Sequence, residues 1–415
     1  MLSRVLVFVI IAAGFAAPAH AQNWGECNVR PKNDIVDIKR AKVDPDRLID
    51  ACTRLIERGG LSNANKAIAL HRRGIGYLAK KQDDLAFEDF NNAIKLDPRN
   101  AAFYSSRGNV WHSRDEYDKA IEDYSKAIQL DPKDAVAYGN RCDDWQYKDE
   151  WSKALDDCNK AIQLRPNYAM PYVYRGEIWE HKKEPKKALE DYTTAIKYDA
   201  EEADAYVHRA DILGDQGEHD AAIADLDKAI ALDSTWPRPY FLRGWSYEEQ
   251  KKHQLAIADF TSAIGYDRKY SRAYRERGKV FQALFRWDEA AADFEELVRL
   301  RPKDADDWNR LCWARAVGGK LQPALDACNT SLDLEKQSYT FDSRGLVNFK
   351  LANYEQAVQD YTVAFALDPK SSSSLYGRGL AKLKLGQQEA GEADITKAKQ
   401  MDPGLVKDFE EYLKR

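Results

Sequence analysis

Residues 67–100 read AIALHRRGIGYLAKKQDDLAFEDFNNAIKLDPRN, and residues 101–134 read AAFYSSRGNVWHSRDEYDKAIEDYSKAIQLDPKD. The second stretch repeats the pattern of the first after 34 residues, with Arg-Gly near the start and Asp-Pro near the end. A fixed period of this length is typical of arrays in which one small structural unit is stacked many times. The arginine continues on this spacing through most of the chain, at Arg73, Arg107, Arg141, Arg175, Arg209, Arg243, Arg277, Arg344 and Arg378.

Apolar, small or aromatic residues occupy two sets of positions within each 34-residue stretch. The first set falls at positions 4, 8 and 11, and the second at positions 20, 24 and 27. Spacings of three and four are typical of one face of an α-helix. The Asp-Pro pair ends the second helix, because proline cannot continue a helix and disfavours helix in the residue before it. Each stretch therefore predicts two antiparallel helices joined by a turn near position 16.

The order and spacing of these residues resemble the tetratricopeptide repeat, whose markers in residues 67–100 are Leu70, Gly74, Tyr77, Ala86, Phe90, Ala93 and Pro98. The resemblance implies an all-α fold, a right-handed superhelical solenoid of about ten helix-turn-helix repeats with a cap helix at its end. An N-terminal segment, 22–66, holds a degenerate leading unit, and the cap helix is 405–415. We number the repeats one to ten, at 67–100, 101–134, 135–168, 169–202, 203–236, 237–270, 271–304, 305–337, 338–371 and 372–404.

The first residues have the composition of a secretory signal peptide, residues 1–21. Arg4 precedes an apolar run, and the small residues around His20 form a cleavage site before Gln22. A retained membrane anchor is the weaker interpretation, because the apolar run is too short for a comfortable span. The sequence therefore predicts a periplasmic or secreted protein with no membrane span after cleavage.

In repeats three and eight, cysteine occupies both position 8 and position 24. Most repeats have glycine at position 8 and a large side chain at position 24, such as Gly74 and Phe90, and antiparallel helices should bring these slots together. An exported chain with an even six cysteines favours disulfides, whereas a metal site would lack ligands and a redox pair would need CxxC. We therefore predict the pairs Cys142–Cys158, Cys312–Cys328 and, mainly by elimination, Cys27–Cys52.

A second covariation joins charged residues. Nine repeats have arginine before the position-8 slot and aspartate before the position-24 slot, as in Arg73 and Asp89. Repeat eight has Leu311 and Ala327 instead, so both charges are missing together. This pattern predicts a partly buried ion pair of structural role, either between the two helices of a repeat or between neighbouring repeats.

The sequence contains no recognisable motif for catalysis. Its histidines are scattered, and it lacks the zinc-protease, nucleophile-elbow and phosphate-loop motifs. The net charge of −5 gives no electrostatic argument for nucleic-acid binding. We therefore expect no enzyme activity, cofactor or metal.

Another side of the first helices, at positions 2, 5, 9, 12 and 13, resembles the lining of the concave groove in which tetratricopeptide repeat proteins bind peptides. Repeats three to five place acids there, repeats six and seven place cations, and aromatic residues lie among them. The candidate partner-binding residues are Asp143, Tyr147, Glu177, Glu180, Asp204, Asp211, Asp215, Arg238, Phe241, Trp245, Arg272, Arg275, Lys279 and Trp313.

These observations favour a non-catalytic scaffold or adaptor that binds a protein or peptide partner in the groove, in the cell envelope. Two alternatives stay open at this point. One is an accessory protein that binds envelope polysaccharide along the same groove, and the other is a solenoid that assembles with itself. The sequence identifies neither the partner nor the oligomeric state.

Overall fold

The computed structural model describes residues 44–404 together with Cys27, Phe409 and Tyr412. The predicted signal peptide, most of segment 22–43 and most of the predicted cap helix 405–415 lie outside the described residues. The described part of the chain contains 21 α-helices and no β-strand. In order these are α1 Pro45–Arg58, α2 Asn63–Ala79, α3 Asp83–Leu96, α4 Ala101–Ser113, α5 Tyr117–Leu130, α6 Ala135–Tyr147, α7 Trp151–Leu164, α8 Met170–His181, α9 Pro185–Tyr198, α10 Ala203–Asp215, α11 His219–Leu232, α12 Pro237–Glu249, α13 His253–Tyr266, α14 Ser271–Ala283, α15 Trp287–Leu300, α16 Ala305–Val317, α17 Leu321–Leu334, α18 Ser338–Lys350, α19 Tyr354–Leu367, α20 Ser372–Lys384 and α21 Gln388–Met401.

The helices belong to two compact bodies, Met1–Ala205 and Tyr206–Arg415, and the division falls within α10. In each body a helix packs chiefly against its neighbours in the chain, for example α2 against α3 and α20 against α21. The all-α repeat fold expected from the sequence is therefore confirmed. The division into repeat bounds stays a prediction, and α2 begins at Asn63, before residue 67, because Ser62 caps it by accepting from the backbone N–H of Asn65.

The turn inside the repeats uses a left-handed residue at a constant position. Lys81, Asp115 and Asp149, at position 15 of their repeats, have φ of 57°, 58° and 57°. The equivalent residue in repeat five is Gly217, with φ 82°. A left-handed residue reverses the chain in few steps, and glycine adopts this conformation without the steric cost that other residues meet. This tight turn keeps the two helices of a repeat side by side.

Small and large side chains interlock between the two helices of a repeat. A Cβ added to Gly74 would lie 2.5 Å from the Phe90 ring, and one added to Gly278 would lie 2.6 Å from the Phe294 ring. Phe90 and Phe294 are fully buried. The large side chain therefore fills the space that the glycine leaves, as the mirrored positions predict.

The cysteines occupy the same interface. The structure joins Cys142 to Cys158 and Cys312 to Cys328 with Cα–Cα distances of 5.4 and 5.2 Å, and it joins Cys27 to Cys52 at 5.0 Å. Cys52 lies in α1, which packs against α2 ahead of the first repeat. No free cysteine remains among the described residues.

The predicted arginine–aspartate pairs are present between the two helices of each repeat concerned. In repeat one, Arg73 donates from Nε and Nη2 to the two carboxylate oxygens of Asp89, at 2.7 and 2.8 Å. The nine pairs are Arg73–Asp89, Arg107–Asp123, Arg141–Asp157, Arg175–Asp191, Arg209–Asp225, Arg243–Asp259, Arg277–Asp293, Arg344–Asp360 and Arg378–Asp394.

Several of these arginines also reach the preceding repeat. Arg107 donates from Nη1 to Asn91 at 2.7 Å, and Arg277 donates to Thr261 at 2.8 Å. Each such guanidinium therefore joins the two helices of its own repeat and also contacts the neighbouring repeat. The predicted ion pair itself lies between the two helices of one repeat. In repeat eight the buried Leu311 and Ala327 replace the pair with an apolar contact.

Burial and pairing act in opposite directions on these carboxyl groups. Burial raises the pKa of Asp89, while hydrogen bonds from Arg73 lower it. The same hydrogen bonds raise the pKa of Arg73. We assign the charged form to both partners, because the guanidinium stays protonated and donates to both carboxylate oxygens.

Candidate functional site

The body Met1–Ala205 contains a cavity of about 470 Å³. Its walls come from the first helices of three consecutive repeats, α6, α8 and the start of α10, and from the first residue of α7. The repeat spacing brings these groups together, because residues 34 apart occupy equivalent positions on stacked helices. The lining residues are Asp143, Gln146, Tyr147, Trp151, Met170, Val173, Tyr174, Glu177 and Asp204. We call this space the acidic cavity.

A histidine links two carboxylates at one wall of the acidic cavity. His112 Nδ1 lies 2.6 Å from an oxygen of Asp144, and its Nε2 lies 3.8 Å from an oxygen of Asp143. Asp144 is fully buried, and its hydrogen bond raises the pKa of His112. Burial raises the pKa of Asp143 to about 7, with a further increase from Glu177 and Asp144 and a decrease from His112. The Asp143 carboxyl therefore changes its charge near neutral pH.

Aromatic rings form another part of the acidic cavity. Tyr147 is 58% exposed, and its ring stacks in parallel on Tyr117 with centroids 4.4 Å apart. Trp151 stacks on His181 at 3.7 Å. Stacking on a neighbour restricts the rotation of an exposed ring, so less conformational entropy is lost when a ligand contacts it.

Gln146 is the amide-bearing residue of the cavity wall. Its Nε2 is buried and has no hydrogen-bond partner among the described residues. A buried amide donor without a partner carries a cost in free energy, which a ligand carbonyl can remove.

The structure brings four of the predicted acidic and aromatic residues together at the cavity: Asp143, Tyr147, Glu177 and Asp204. Glu180 does not line it, and accepts a hydrogen bond from the Tyr192 hydroxyl. The sequence reasoning missed His112 and Gln146, although both occupy position 12 of the predicted face. It also missed Trp151, which begins a second helix and therefore lay outside the pattern that was considered.

The basic candidates of the other body are already paired. Arg238 lies 3.0 Å from Asp211, and Lys279 lies 2.6 Å from Glu276. Arg275 donates to Asp307, whose side chain is fully buried, at 3.1 Å. These contacts neutralise much of the positive charge that the sequence places on this face.

The remaining cation and one acid of that face are more exposed. Arg272 is exposed, and its guanidinium lies 4.7 Å from the centre of the Phe241 ring. Asp215 is exposed at the end of α10.

Two of the aromatic candidates are covered by neighbouring rings. Phe241 is only 4% exposed and packs against Phe260 and Tyr270, so it is a packing residue of the core rather than an exposed groove side chain. Position 5 lies where the groove side meets the neighbouring helix, and a side chain of this size turns into the core. Trp313 is partly covered by the edge-on ring of Tyr412 at 5.1 Å, near the end of the chain.

Trp245 has an intermediate position. It is partly buried, lying 5.8 Å from the ring of His219 and close to Gly214, where an added Cβ would be 3.1 Å from its ring. It is therefore at least partly a packing residue.

Neither a metal site nor a membrane span is apparent in the described ranges. No group of three or more histidine, cysteine, aspartate or glutamate side chains there is arranged to hold a metal ion. Within the same ranges, every helix is too short or too polar to cross a bilayer.

Comparison with known proteins gives matches of fold. Family models described as tetratricopeptide repeat match residues 101–134, 182–237, 241–305 and 275–338. No curated protein matches the chain.

Among solved structures, this chain is similar to YrrB, which is described as a TPR protein with an unusual peptide-binding site. It is 22% identical, with a TM-score of 0.36, covering 45% of this chain and 96% of that one. PilF of Pseudomonas aeruginosa is 19% identical with a TM-score of 0.47, covering 54% and 99%. Yeast Tom70 is 16% identical with a TM-score of 0.35, covering 84% and 94%.

Proposed function

This chain is a tetratricopeptide repeat protein, and from that premise we propose that it is a non-catalytic scaffold that binds a peptide or protein partner in the cell envelope. The repeats themselves support a protein–protein interaction scaffold. The partner contacts the first helices of repeats three to five, at the acidic cavity. The observation that carries this proposal is the cavity of about 470 Å³ lined by three carboxylates and three aromatic rings.

The lining of the cavity suits a binding surface more than a merely solvated one. Ligand sites are concave, mostly apolar and equipped with a few convergent polar groups, and volumes of about 300–1,000 Å³ are common. Exposed Tyr147 is held by its stack on Tyr117, and aromatic residues of this kind are enriched where partners bind most tightly. On the basic face of the other body, Arg238, Arg275 and Lys279 are paired with carboxylates, so we assign that face a lesser part in binding.

The cysteines and the signal-like composition of residues 1–21 support the proposed envelope location. Disulfides persist in oxidising compartments such as the periplasm, and the structure holds three of them. The first residues carry the features of a cleavable signal. Mass spectrometry of the protein recovered from a periplasmic fraction should give an N-terminus at Gln22, and an intact Met1 in the cytoplasm would contradict export.

Photocrosslinking in living cells tests the binding face. A photoreactive phenylalanine analogue replaces Tyr147, which is 58% exposed in the cavity wall. The matched control places the same analogue at Leu85, which is 45% exposed on the second helix α3. We expect position 147 to form a single adduct of higher mass than the protein alone, and position 85 to form none.

The adduct also separates the alternatives. A peptide-containing adduct identified by mass spectrometry supports the proposal, whereas an adduct of two copies of this chain supports self-assembly instead. A saccharide adduct supports the polysaccharide alternative. Equal adducts from both positions, or none from either, contradict the assignment of this face.

A further inference from the structure

We infer that the acidic cavity takes the basic side chain, lysine or arginine, of an extended peptide, and that Gln146 donates to a main-chain carbonyl of the same peptide. The inference rests on the proposed function and adds the chemistry of the partner. Three independent features of the cavity carry it: its charge, its apolar walls and the unpartnered amide.

The charge of the lining is of one sign. Asp143, Glu177 and Asp204 contribute carboxyl groups, and no lysine or arginine is among the lining residues in the described part of the chain. Asp204 is exposed on the first turn of α10. Near a protein surface, two opposite unit charges about 4 Å apart attract roughly fourfold more strongly than in bulk water. The lining therefore attracts a cation and repels an anionic ligand.

The apolar and aromatic walls suit the side chains of lysine and arginine. Tyr147, Trp151 and Tyr174 present rings, and Met170 and Val173 present apolar groups. Lysine and arginine bury a hydrocarbon stem while the charged head stays polar. Their heads are also attracted to the faces of aromatic rings within about 6 Å. A small inorganic cation would leave these walls without a partner.

The unpartnered amide points to the peptide main chain. Gln146 Nε2 makes no hydrogen bond to any described residue, so turning this amide toward the cavity breaks none. Amide nitrogens donate and require an acceptor such as a carbonyl oxygen. A free amine or polyamine offers no such acceptor, whereas a peptide residue offers a basic side chain and a carbonyl together.

The volume agrees with a side chain and some adjoining backbone. A cavity of about 470 Å³ lies within the range of about 300–1,000 Å³ that is common for ligand sites. This is more than a single basic side chain occupies. The excess accommodates the flanking main chain, to which Gln146 donates.

Selection from a displayed library of random dodecapeptides on the full mature protein tests the inference. We expect the recovered sequences to be enriched in lysine or arginine. A synthetic copy of the most enriched peptide is then compared with a copy in which citrulline, the neutral analogue of arginine, replaces the basic residue (norleucine where the residue is lysine). We expect the neutral copy to bind about tenfold more weakly, as the loss of one half-exposed charge contact implies.

The protein variants give the reciprocal measurement. Glu177→Gln with Asp204→Asn removes two carboxylates of the cavity while keeping the side-chain shape. The matched control, Glu122→Gln with Glu190→Gln, makes the same change of charge at exposed positions of the second helices α5 and α9. We expect binding of the basic peptide to weaken about tenfold or more in the cavity variant and to stay within about twofold in the control. Thermal unfolding of both variants checks that the fold is retained.

The outcomes separate this inference from the proposed function. Equal binding of the basic and neutral peptides, with an adduct still formed at position 147, overturns the basic side chain but leaves the peptide-binding face. Equal weakening in both double variants also overturns it, because only the overall charge then matters. Failure to recover any peptide that crosslinks at position 147 contradicts the proposed function, and the inference with it.

Discussion

The acidic residues of repeats three to five and the basic residues of repeats six and seven lie on the same face of their helices, yet their surroundings differ. Asp143, Glu177 and Asp204 line one cavity without a lysine or arginine among its walls. Arg238 and Arg275 instead lie against the carboxylates of Asp211 and Asp307, within their own body. The first group shares one cavity wall with no lysine or arginine beside it, while the second has largely been neutralised by carboxylates of its own body.

The comparison teaches that position on a helix face does not tell whether a charge is available. A cation that already holds a buried carboxylate is a structural residue, since its removal leaves that carboxylate without its charge. A double substitution of Trp245 and Arg275 would therefore confuse folding with binding. Four predictions test the difference, from the largest effect on stability to the smallest.

Removal of the two equivalent disulfides should have equal effects on stability but different effects on binding. Cys142→Ala with Cys158→Ala, or Cys312→Ala with Cys328→Ala, opens a loop of separation 16. Each change should lower the free energy of unfolding by about 3 kcal/mol in the body concerned. Only the first should weaken binding of the basic peptide, because Cys142 directly precedes Asp143. Urea unfolding and peptide titration measure the two effects, and equal loss of binding in both variants would contradict the comparison.

Arg275→Ala should destabilise the protein without changing peptide binding at the acidic cavity. The Asp307 side chain is fully buried and would lose the Arg275 contact while keeping the one with Arg301, at 3.1 Å. We expect a loss of about 2–3 kcal/mol, at or below the low end for a broken buried pair because Arg301 remains. Denaturant unfolding measures it. A fully stable variant that loses peptide binding would identify Arg275 as a binding residue after all.

Asp143→Asn should stabilise the protein above neutral pH and have little effect in acid. Burial raises the pKa of Asp143 to about 7 from its ordinary value of 3.8, so the folded state binds the proton more tightly than the unfolded state between these values. Stability therefore falls as the pH rises through this window, and the raised pKa of His112 adds to the fall. The groups that face Asp143 are His112, Asp144, Tyr147, Tyr174, Glu177 and Asp204.

Asparagine removes the ionisation, so the variant should gain on the order of 2 kcal/mol at pH 8 relative to wild type. Thermal unfolding between pH 5 and pH 8 measures this, with Glu190→Gln as the control that keeps the wild-type slope. Parallel curves for wild type and Asp143→Asn would show that this carboxyl does not titrate in that window. The peptide, in contrast, should bind wild type more tightly at pH 8 than at pH 6, because the ionised carboxylate attracts it.

Arg272→Ala with Lys279→Ala should have the smallest effect. Both side chains are exposed, and Lys279 pairs with Glu276 of its own helix. Exposed pairs of this kind contribute about 0.5 kcal/mol or less, so unfolding should change little. Binding of the basic peptide should stay within about twofold. A large loss of binding would place the peptide on the basic face and reverse the comparison.

The repeat sequence was sufficient to predict the interior of each repeat. The 34-residue spacing of Arg73 and its equivalents, with aspartate sixteen residues later, located all nine ion pairs. Positions 8 and 24 lie at equal distances from the turn, which predicted that Gly74 faces Phe90. These contacts lie within one pair of helices, where sequence separation and geometry are linked by the helical period.

The site was less predictable because it depends on contacts between repeats. Arg275 and Asp307 are 32 residues apart, and nothing in their repeat positions reveals that one side chain reaches the other. Phe241 turns into the core because Phe260 and Tyr270 leave room for it. His112 and Gln146 lay on the predicted face, yet their burial beside the acids depends on how α4, α6 and α8 stack.

The most direct test of the central claim is to locate the bound peptide. The most enriched basic dodecapeptide, carrying a benzophenone group beside its lysine or arginine, is crosslinked to the full mature protein, and the attachment points are mapped by mass spectrometry. We predict attachment within α6 and α8, near Tyr147 and Tyr174. Attachment within α12 and α14, near Arg238 and Arg272, would contradict the account, because the neutralised basic face would then be the one that binds.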